Sequence, residues 1–464
     1  MSHVLGIDSS TQSTKALLVE AETGRVVAER RAPHPPGTEV DPRAWLGAVD
    51  AAAGELLEKA DAVAVGGQQH GMVLLDDSGE VLRDALLWND VRSAPQARQL
   101  IEELGGPAES ARRTGSVLVA SITSTKLRWV ADNEPDVAKR VAKVLLPHDY
   151  VSRHLSEDGA AFFTDRGDAS GTGYFDPRSG TWDRELLEMA LGHDAELPEI
   201  APQPFARMAR TRSGAIIAPG TGDNMAAALG LGLGPGDISV SIGTSGVCAM
   251  VSDKPAADAS GMVTGFADAT GRFLPLTCTI NAAKILDFGC SLLGVDHAEL
   301  ARLALASVPG ANGVTVLPYF DGERTPNRPD ARATLTGVST ATSREDIARA
   351  LVEGLLLSLA DGIAALEAAT GVTGKRVVLI GGGAKSPAVR QLAADVWGRE
   401  VSVAPEGEYV ALGAARQAAQ ALHGDGLPAW QVAGAETFAP SRSAALDELR
   451  DAYASLRERT AGWV

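Results

Sequence analysis

Apolar residues in this chain come in short runs cut by small polar turns. Val4 to Ile7 reads as a strand, Asp8-Ser9-Ser10-Thr11-Gln12-Ser13-Thr14 as a hydroxyl-rich turn, and Lys15 to Val19 as a second apolar run. Glu22-Thr23-Gly24 turns the chain before Arg25-Val26-Val27-Ala28, so the opening predicts a β-meander. Trp45 to Lys59 has helical periodicity. Ala62 to Gly66 is a short buried strand that ends in Gly66-Gly67-Gln68-Gln69-His70-Gly71.

The opening pattern returns about half a chain later. Asp237 to Ile242 predicts a strand, Gly243-Thr244-Ser245-Gly246 a small-residue turn, and Val247 to Val251 another apolar run. A repeat of strand, hydroxyl-rich turn and strand implies a duplicated architecture. The boundary is expected near Gly232-Leu233-Gly234-Pro235-Gly236, a Gly/Pro-rich stretch suited to a hinge. Further on, Thr342 and Glu345 have capping-box spacing ahead of a helix from about Arg344 to Ala369, which Gly371 ends. Val377 to Ile380 predicts a strand running into Gly381-Gly382-Gly383-Ala384 and a helix through about Trp397, and a last helix is expected after Glu408. Strands alternating with helices make this an α/β protein.

A length of 464 residues exceeds one ordinary core and predicts two or three domains. Net charge is −17 and the pI about 5.0. No Lys/Arg cluster stands out, which excludes nucleic acid as a main partner. The cysteines Cys248, Cys278 and Cys290 match no zinc or redox spacing and read as buried small hydrophobes. No apolar run reaches the ~20 residues that span a bilayer, and the first residues lack a signal-peptide pattern. No membrane partner and a reducing cytoplasmic setting are therefore expected.

Several turns carry side chains suited to chemistry. Asp8 directly follows an apolar strand, where an acid can orient a divalent metal through water. Ser9, Ser10 and Thr11 are small enough for backbone N–H groups to approach phosphate oxygens. An ordinary hairpin loop is the plainer reading of that segment. The Gly243-Thr244-Ser245-Gly246 turn pairs with it, and two such loops facing one another across a cleft would hold one polyphosphate. Gly381-Gly382-Gly383-Ala384 follows a buried strand and opens a helix, which allows close backbone approach to a ligand. It lacks the Lys-Ser/Thr ending of a P-loop. Gly222-Asp223-Asn224 precedes an Ala-rich helix, so Asp223 reads equally as an N-cap or as a base that takes a proton from a hydroxyl. Asp223 and Asn224 together offer an acceptor and a bifunctional amide, which suits a polyol. Gln68-Gln69-His70 sits at a strand's carboxyl end, where polar residues often face a ligand crevice.

Taken in order, these motifs resemble the FGGY family of carbohydrate kinases, which share the actin/hexokinase-like (ribonuclease H-like) ATPase fold. The resemblance runs over nearly the whole chain. It rests on Gly6-Ile7-Asp8-Ser9-Ser10-Thr11-Gln12-Ser13-Thr14-Lys15, Gly67-Gln68-Gln69-His70-Gly71, Leu87-Trp88-Asn89-Asp90 and Leu146-Pro147-His148-Asp149-Tyr150. It rests equally on Gly222-Asp223-Asn224, Ser241-Ile242-Gly243-Thr244-Ser245-Gly246, the run Leu317 to Pro326, and Gly381-Gly382-Gly383-Ala384. The Gln-Gln-His and Trp-Asn-Asp segments resemble the bacterial members that phosphorylate D-xylulose, although many of those carry Met where Gln69 stands.

The resemblance implies two duplicated domains around a central cleft. Residues 1–234 would form a sugar-binding and phosphate-loop domain, and residues 235–464 a nucleotide-binding domain. ATP and Mg²⁺ are the implied cofactors, with a homodimer as one candidate assembly. By resemblance Asp223 is the proton acceptor and Asp8 the metal-associated acid. Gln69, His70 and Asn224 contact the sugar, Thr11, Gly243 and Thr244 the phosphates, and Gly382 and Gly383 the adenosine. Two alternatives stay open. One is a kinase of the same family for ribulose, xylitol or glycerol. The other is a non-catalytic actin-like ATP-binding protein, for which the fold alone would suffice.

Overall fold

The computed structural model describes residues 1–424, 426–430, 434–441 and 443–463. The chain forms two compact units. One comprises Met1–Leu233, Asp253–Leu274 and Gly407–Gln431, the other Gly234–Ser252, Pro275–Glu406 and Val432–Val464. The chain thus leaves the first unit near Leu233 and returns to it twice.

The first unit is built on a mixed sheet. Its leading strands are β1 (His3–Ser9), β2 (Ser13–Glu20) and β3 (Val26–Pro33), followed by α1 (Arg43–Leu57) and β4 (Ala62–Gly67). Later segments add α2 (Pro147–Leu155), α3 (Arg166–Ala169), β5 (Ala209–Arg210), β6 (Ile216–Ile217), β7 (Thr221–Gly222) and α4 (Asp223–Gly230). The strand order is β5-β6-β4-β1-β2-β3, with β7 paired to the end of β4. β1 runs antiparallel to β2 and parallel to β4.

Alternation along β1 decides what covers each face. Leu5 and Ile7 point into a cluster with Trp45 and Val49 of α1. Val4 points the other way, toward Ala411, Ala414, Ala415 and Ala418 of the helix Tyr409–His423. That helix lies very close, because a Cβ on Gly6 would sit 1.8 Å from the Ala411 carbonyl oxygen. Small residues in the helix and a glycine in the strand make the approach sterically open.

The second unit repeats the central device. β8 (Asp237–Ile242) is antiparallel to β9 (Gly246–Met250) and parallel to β11 (Arg376–Ile380). β10 (Phe273–Thr279) pairs with β9 on the far side, through Leu276 to Thr279. β11 continues to β12 (Val401–Val403) and then β13 (Glu436–Phe438). The helices here are α5 (Ala283–Leu293), α6 (Arg344–Thr370), α7 (Pro387–Trp397) and α8 (Ala444–Arg459). Each unit therefore has a central strand with an antiparallel hairpin on one side and a parallel strand on the other.

Four details depart from the sequence reading. β1 extends through Asp8 and Ser9, because the ladder continues to the Ser9–Thr14 pair and leaves only residues 10–12 outside the strands. The capping box of α6 is Ser343 with Asp346, one residue later than Thr342 with Glu345. The helix after Glu408 is not the last, since α8 follows it. Of the cysteines, Cys248 is buried, while Cys278 and Cys290 are partly exposed, and all three are free thiols. Among the described residues no helix is long and apolar enough to cross a membrane.

Candidate active site

The carboxyl ends of β1, β4 and β7 lie side by side, and they bring the polar residues of three distant segments together. Asp8 pairs with Gly66 across the β1–β4 ladder, and Gly66 and Gly67 pair with Thr221 and Gly222. Asp8, Gln69 and Asp223 therefore issue from neighbouring strand ends.

Asp8 is buried. It accepts from the Ser10 hydroxyl, and Lys15 Nζ stands 3.6 Å from its Oδ2. Lys15 is its partner in the antiparallel ladder and also contacts Glu408. Burial raises the Asp8 pKa above the ordinary carboxylate value, and the Ser10 hydrogen bond and Lys15 charge pull it partly back. Thr11 Oγ1 accepts from the exposed Trp88 indole N–H at 2.9 Å. Lys15 and Trp88 had no assigned role from the pattern. The Asp8–Lys15 cross-strand pairing was the available signal for Lys15, once the loop between them is as short as it is.

Asp223 opens α4, but the N-cap is Gly222, and no side chain caps this helix. The cap reading of Asp223 is thus corrected. Its Oδ1 accepts from the Asn224 backbone N–H at 2.8 Å and from Asn224 Nδ2 at 3.0 Å. Asn224 Nδ2 also donates to Gln69 Oε1 at 2.9 Å. Burial raises the Asp223 carboxyl to about 7, helped by the negative charges of Asp8 and Asp168. Such a group is half ionised near neutral pH, which is what a general base needs.

His70 has a positive φ of 66°, which is uncommon for a residue with a side chain. Its Nδ1 lies 2.7 Å from the Gly171 carbonyl oxygen. A carbonyl only accepts, so Nδ1 carries the proton. The ring also stacks at a tilt on Phe266, with centroids 5.5 Å apart.

Behind these residues lies a buried polar cluster that sequence reasoning missed. His148 Nδ1 lies 2.7 Å from Asp168 Oδ2, and His148 Nε2 lies 3.2 Å from Asp149 Oδ1. Asp165 caps α3 and accepts from the Thr221 hydroxyl at 2.8 Å. Burial pulls the His148 ring down, but Asp149 and Asp168 outweigh it and leave it up at about 9. The Leu146–Tyr150 segment contributes to the resemblance, yet nothing in its spacing links it to residues some twenty positions on.

The remaining predicted residues form a second group, in the second unit. Gly243 and Thr244 follow β8, and Gly382 and Gly383 follow β11. The two turns are neighbours because Ser241 pairs with Ile380. A Cβ on Gly383 would lie 2.2 Å from Ile242 Cγ2, whereas a Cβ on Gly382 would meet nothing within 4 Å. Gly243 and Thr244 also receive the start of α5, with Ala283 N–H donating to the Gly243 carbonyl at 2.8 Å.

Comparison with known proteins fits this arrangement. Residues 3–230 match the N-terminal domain, and residues 238–422 the C-terminal domain, of the FGGY family of carbohydrate kinases. A xylulose kinase of Streptomyces coelicolor is 46% identical over 436 residues, covering 91% of this chain and 88% of the relative. One from Streptomyces rubiginosus is 45% identical with the same coverage. The crystal structure of xylulose kinase from Bifidobacterium adolescentis superposes with a TM-score of 0.92 at 46% identity, covering 98% of this chain and 99% of that one. The two-domain α/β architecture, one mixed sheet in each domain, is that of sugar kinases and actin-like ATPases. This chain belongs to the FGGY family of carbohydrate kinases.

Proposed function

We propose that the protein transfers the γ-phosphoryl group of ATP to the O5 hydroxyl of D-xylulose, with Asp223 accepting the hydroxyl proton. The observation that carries this reading is Asp223 itself, a carboxyl held at about 7 beside the bridged Gln69 and Asn224 amides. A base poised near the working pH can take a proton in the transition state and return it to solvent afterwards. Names of the relatives support the sugar, since both Streptomyces proteins and the Bifidobacterium structure are called xylulose kinase.

In this reading Gln69, His70 and Asn224 hold the sugar hydroxyls. Thr11, Gly243 and Thr244 hold the phosphates, and Gly382 and Gly383 the adenosine. The transfer itself is then mainly a matter of positioning and charge stabilisation. Asp8 fits a Mg²⁺ ion that keeps most of its water. A single buried carboxylate would suit Mg²⁺, an ion that dehydrates reluctantly and needs few protein ligands. When bound, that ion supplies neutralisation of phosphate charge. We assign the enzyme to the cytoplasm, where ATP is at hand.

The test is ADP release with D-xylulose, ribulose, xylitol and glycerol as acceptors. D-xylulose is expected to give the highest kcat/KM. Asp223→Ala is expected to lose about 10²–10⁴-fold in turnover, the usual contribution of a general base. Near-full activity in that variant would overturn the assignment of Asp223, and preference for another acceptor would overturn the sugar.

A further inference from the structure

The segment Asp165–Gly171 has no part in the reaction described above, yet three of its groups each touch a different part of the candidate site. Asp165 Oδ2 accepts from the hydroxyl of Thr221, two residues before Asp223, at 2.8 Å. Asp168 meets His148, and its carboxyl also faces the Gln69 amide. Gln69 Nε2 makes no hydrogen bond of good geometry there, although the residue is only 4% exposed. The Gly171 carbonyl fixes His70. One short helical turn thus gathers the supports of Gln69, His70 and the Asp223 turn.

His148 has no freedom to move within this arrangement. It is fully buried. A Cβ on Gly67 would lie 2.8 Å from its Cβ, and a Cβ on Gly220 would lie 2.7 Å from its Cδ2. The ring is therefore wedged between the end of β4 and the turn that leads to β7. Asp149 faces it from its own helix, and Asp165 and Asp168 face it from the start of α3 and from α3 itself. Buried Tyr174 stands near Asp149 and Asp168, and Asp223 faces Asp8 and Asp168. Carboxylates crowd this region, and an uncompensated buried charge is costly.

We propose that His148 and Asp168 form a buried ion pair that acts as a positioning device for phosphoryl transfer. Burial pushes the Asp168 carboxyl up, and the imidazolium and its hydrogen bond pull it back toward the ionised form, in which Asp168 faces the Gln69 amide and adds its charge to that of Asp8 on Asp223. The inference rests on the reading of Asp223 as the base. Its consequence has a sign. A carboxylate at position 168 disfavours a second negative charge at 223 and so makes Asp223 a stronger base. Asp168→Asn keeps the size of the side chain and removes the charge, so Asp223 becomes a weaker base. His148→Asn removes the counter-charge, Asp168 takes up a proton, and Asp223 responds in the same direction.

The experiment has two arms. In the first, kcat/KM is followed from about pH 5 to 9 for the wild type, Asp168→Asn and His148→Asn, with thermal unfolding as the check on folding. The acidic limb is expected to move down by about one pH unit in Asp168→Asn, the lower end of the range for a nearby charge. It should move the same way in His148→Asn. A purely structural role would lower Tm and leave the limb in place, and that result would overturn the proposal. The second arm is side-chain ¹⁵N NMR of the wild-type histidines. One of the eight rings is expected to remain imidazolium up to about pH 9. All eight rings turning neutral below pH 8 would overturn the proposal even if neither variant folds. This arm needs no substrate, so its outcome is separable from a failure of the protein to phosphorylate a sugar.

Discussion

Asn224 Nδ2 donates to Gln69 Oε1 at 2.9 Å, which ties the first turn of α4 to the loop leaving β4. The bond is possible because position 222 is glycine, where a Cβ would come within 2.7 Å of Gln69 Cγ. The same Asn224 amide also donates to Asp223 Oδ1 at 3.0 Å. Asn224 thus shares its two-hydrogen amide between the proposed sugar contact and the proposed base.

Cutting that link should be felt mainly in sugar affinity. Asn224→Ala removes donors to both Gln69 and Asp223, each worth about 0.5–3 kcal/mol when buried or charged. KM for the sugar is expected to rise about tenfold, while KM for ATP changes little. Steady-state kinetics with each substrate varied in turn checks this. Equal loss for both substrates would count against the arrangement.

The raised pKa of Asp223 predicts a pH profile. The proposed base is mostly ionised only above about 7. Below that value kcat/KM should fall by about tenfold per pH unit, since only the deprotonated form accepts the proton. Asp223→Ala should retain no such limb in its residual activity.

The same shift bears on stability. The Asp223 carboxyl titrates higher in the folded protein than at its ordinary value of 3.8. The folded state therefore binds the proton more tightly, and stability drains away as pH rises from about 4 through about 7. Asp223→Asn should relieve that cost at pH 8 and raise stability there by about 1–3 kcal/mol, discounted for solvent on the open side of the residue. Below about pH 3, under both the folded and the ordinary value, both states carry the neutral acid and the gain should vanish. Denaturant unfolding at the two pH values checks the sign.

Much of this site was legible before the fold. Asp8 and Asp223 stand out because each ends a short apolar or glycine-bounded run, and they lie at the ends of the two strands that pair with β4. The hidden part has a physical cause. His148, Asp165 and Asp168 lie in a helix start, a cap and a single helical turn, each an ordinary local signal. Only the parallel pairing of β7 with β4 sets Thr221 against Asp165 and frames His148 between Gly67 and Gly220. The α6 cap shows the same limit on a smaller scale. Thr342 with Glu345 and Ser343 with Asp346 have identical spacing. The second pair caps the helix, and its Asp346 is also fixed by Ser307 and Asn312 at 2.6 and 2.8 Å, partners more than thirty residues away. Likewise the Ala-rich pattern of residues 409–423 announces a helix without saying which sheet it covers, and it packs on Val4 of the first unit.

The two glycines after β11 separate a structural demand from the proposed adenosine contact. Gly383 must be glycine for packing, because its Cβ would fall 2.2 Å from Ile242 Cγ2. Gly383→Ala should cost about 1–3 kcal/mol, the range for overpacking a filled site. Gly382 is exposed, and its Cβ would enter open space. Gly382→Ala should leave Tm essentially unchanged. If its backbone is approached closely by adenosine, the added methyl fills that approach and KM for ATP should rise about tenfold, roughly 1.4 kcal/mol, with KM for the sugar unaffected. Thermal unfolding and ATP-dependent kinetics on the two variants give a crossed result, instability at one position and weakened ATP use at the other. A stable Gly382→Ala enzyme with wild-type KM for ATP would remove Gly382 from the adenosine site.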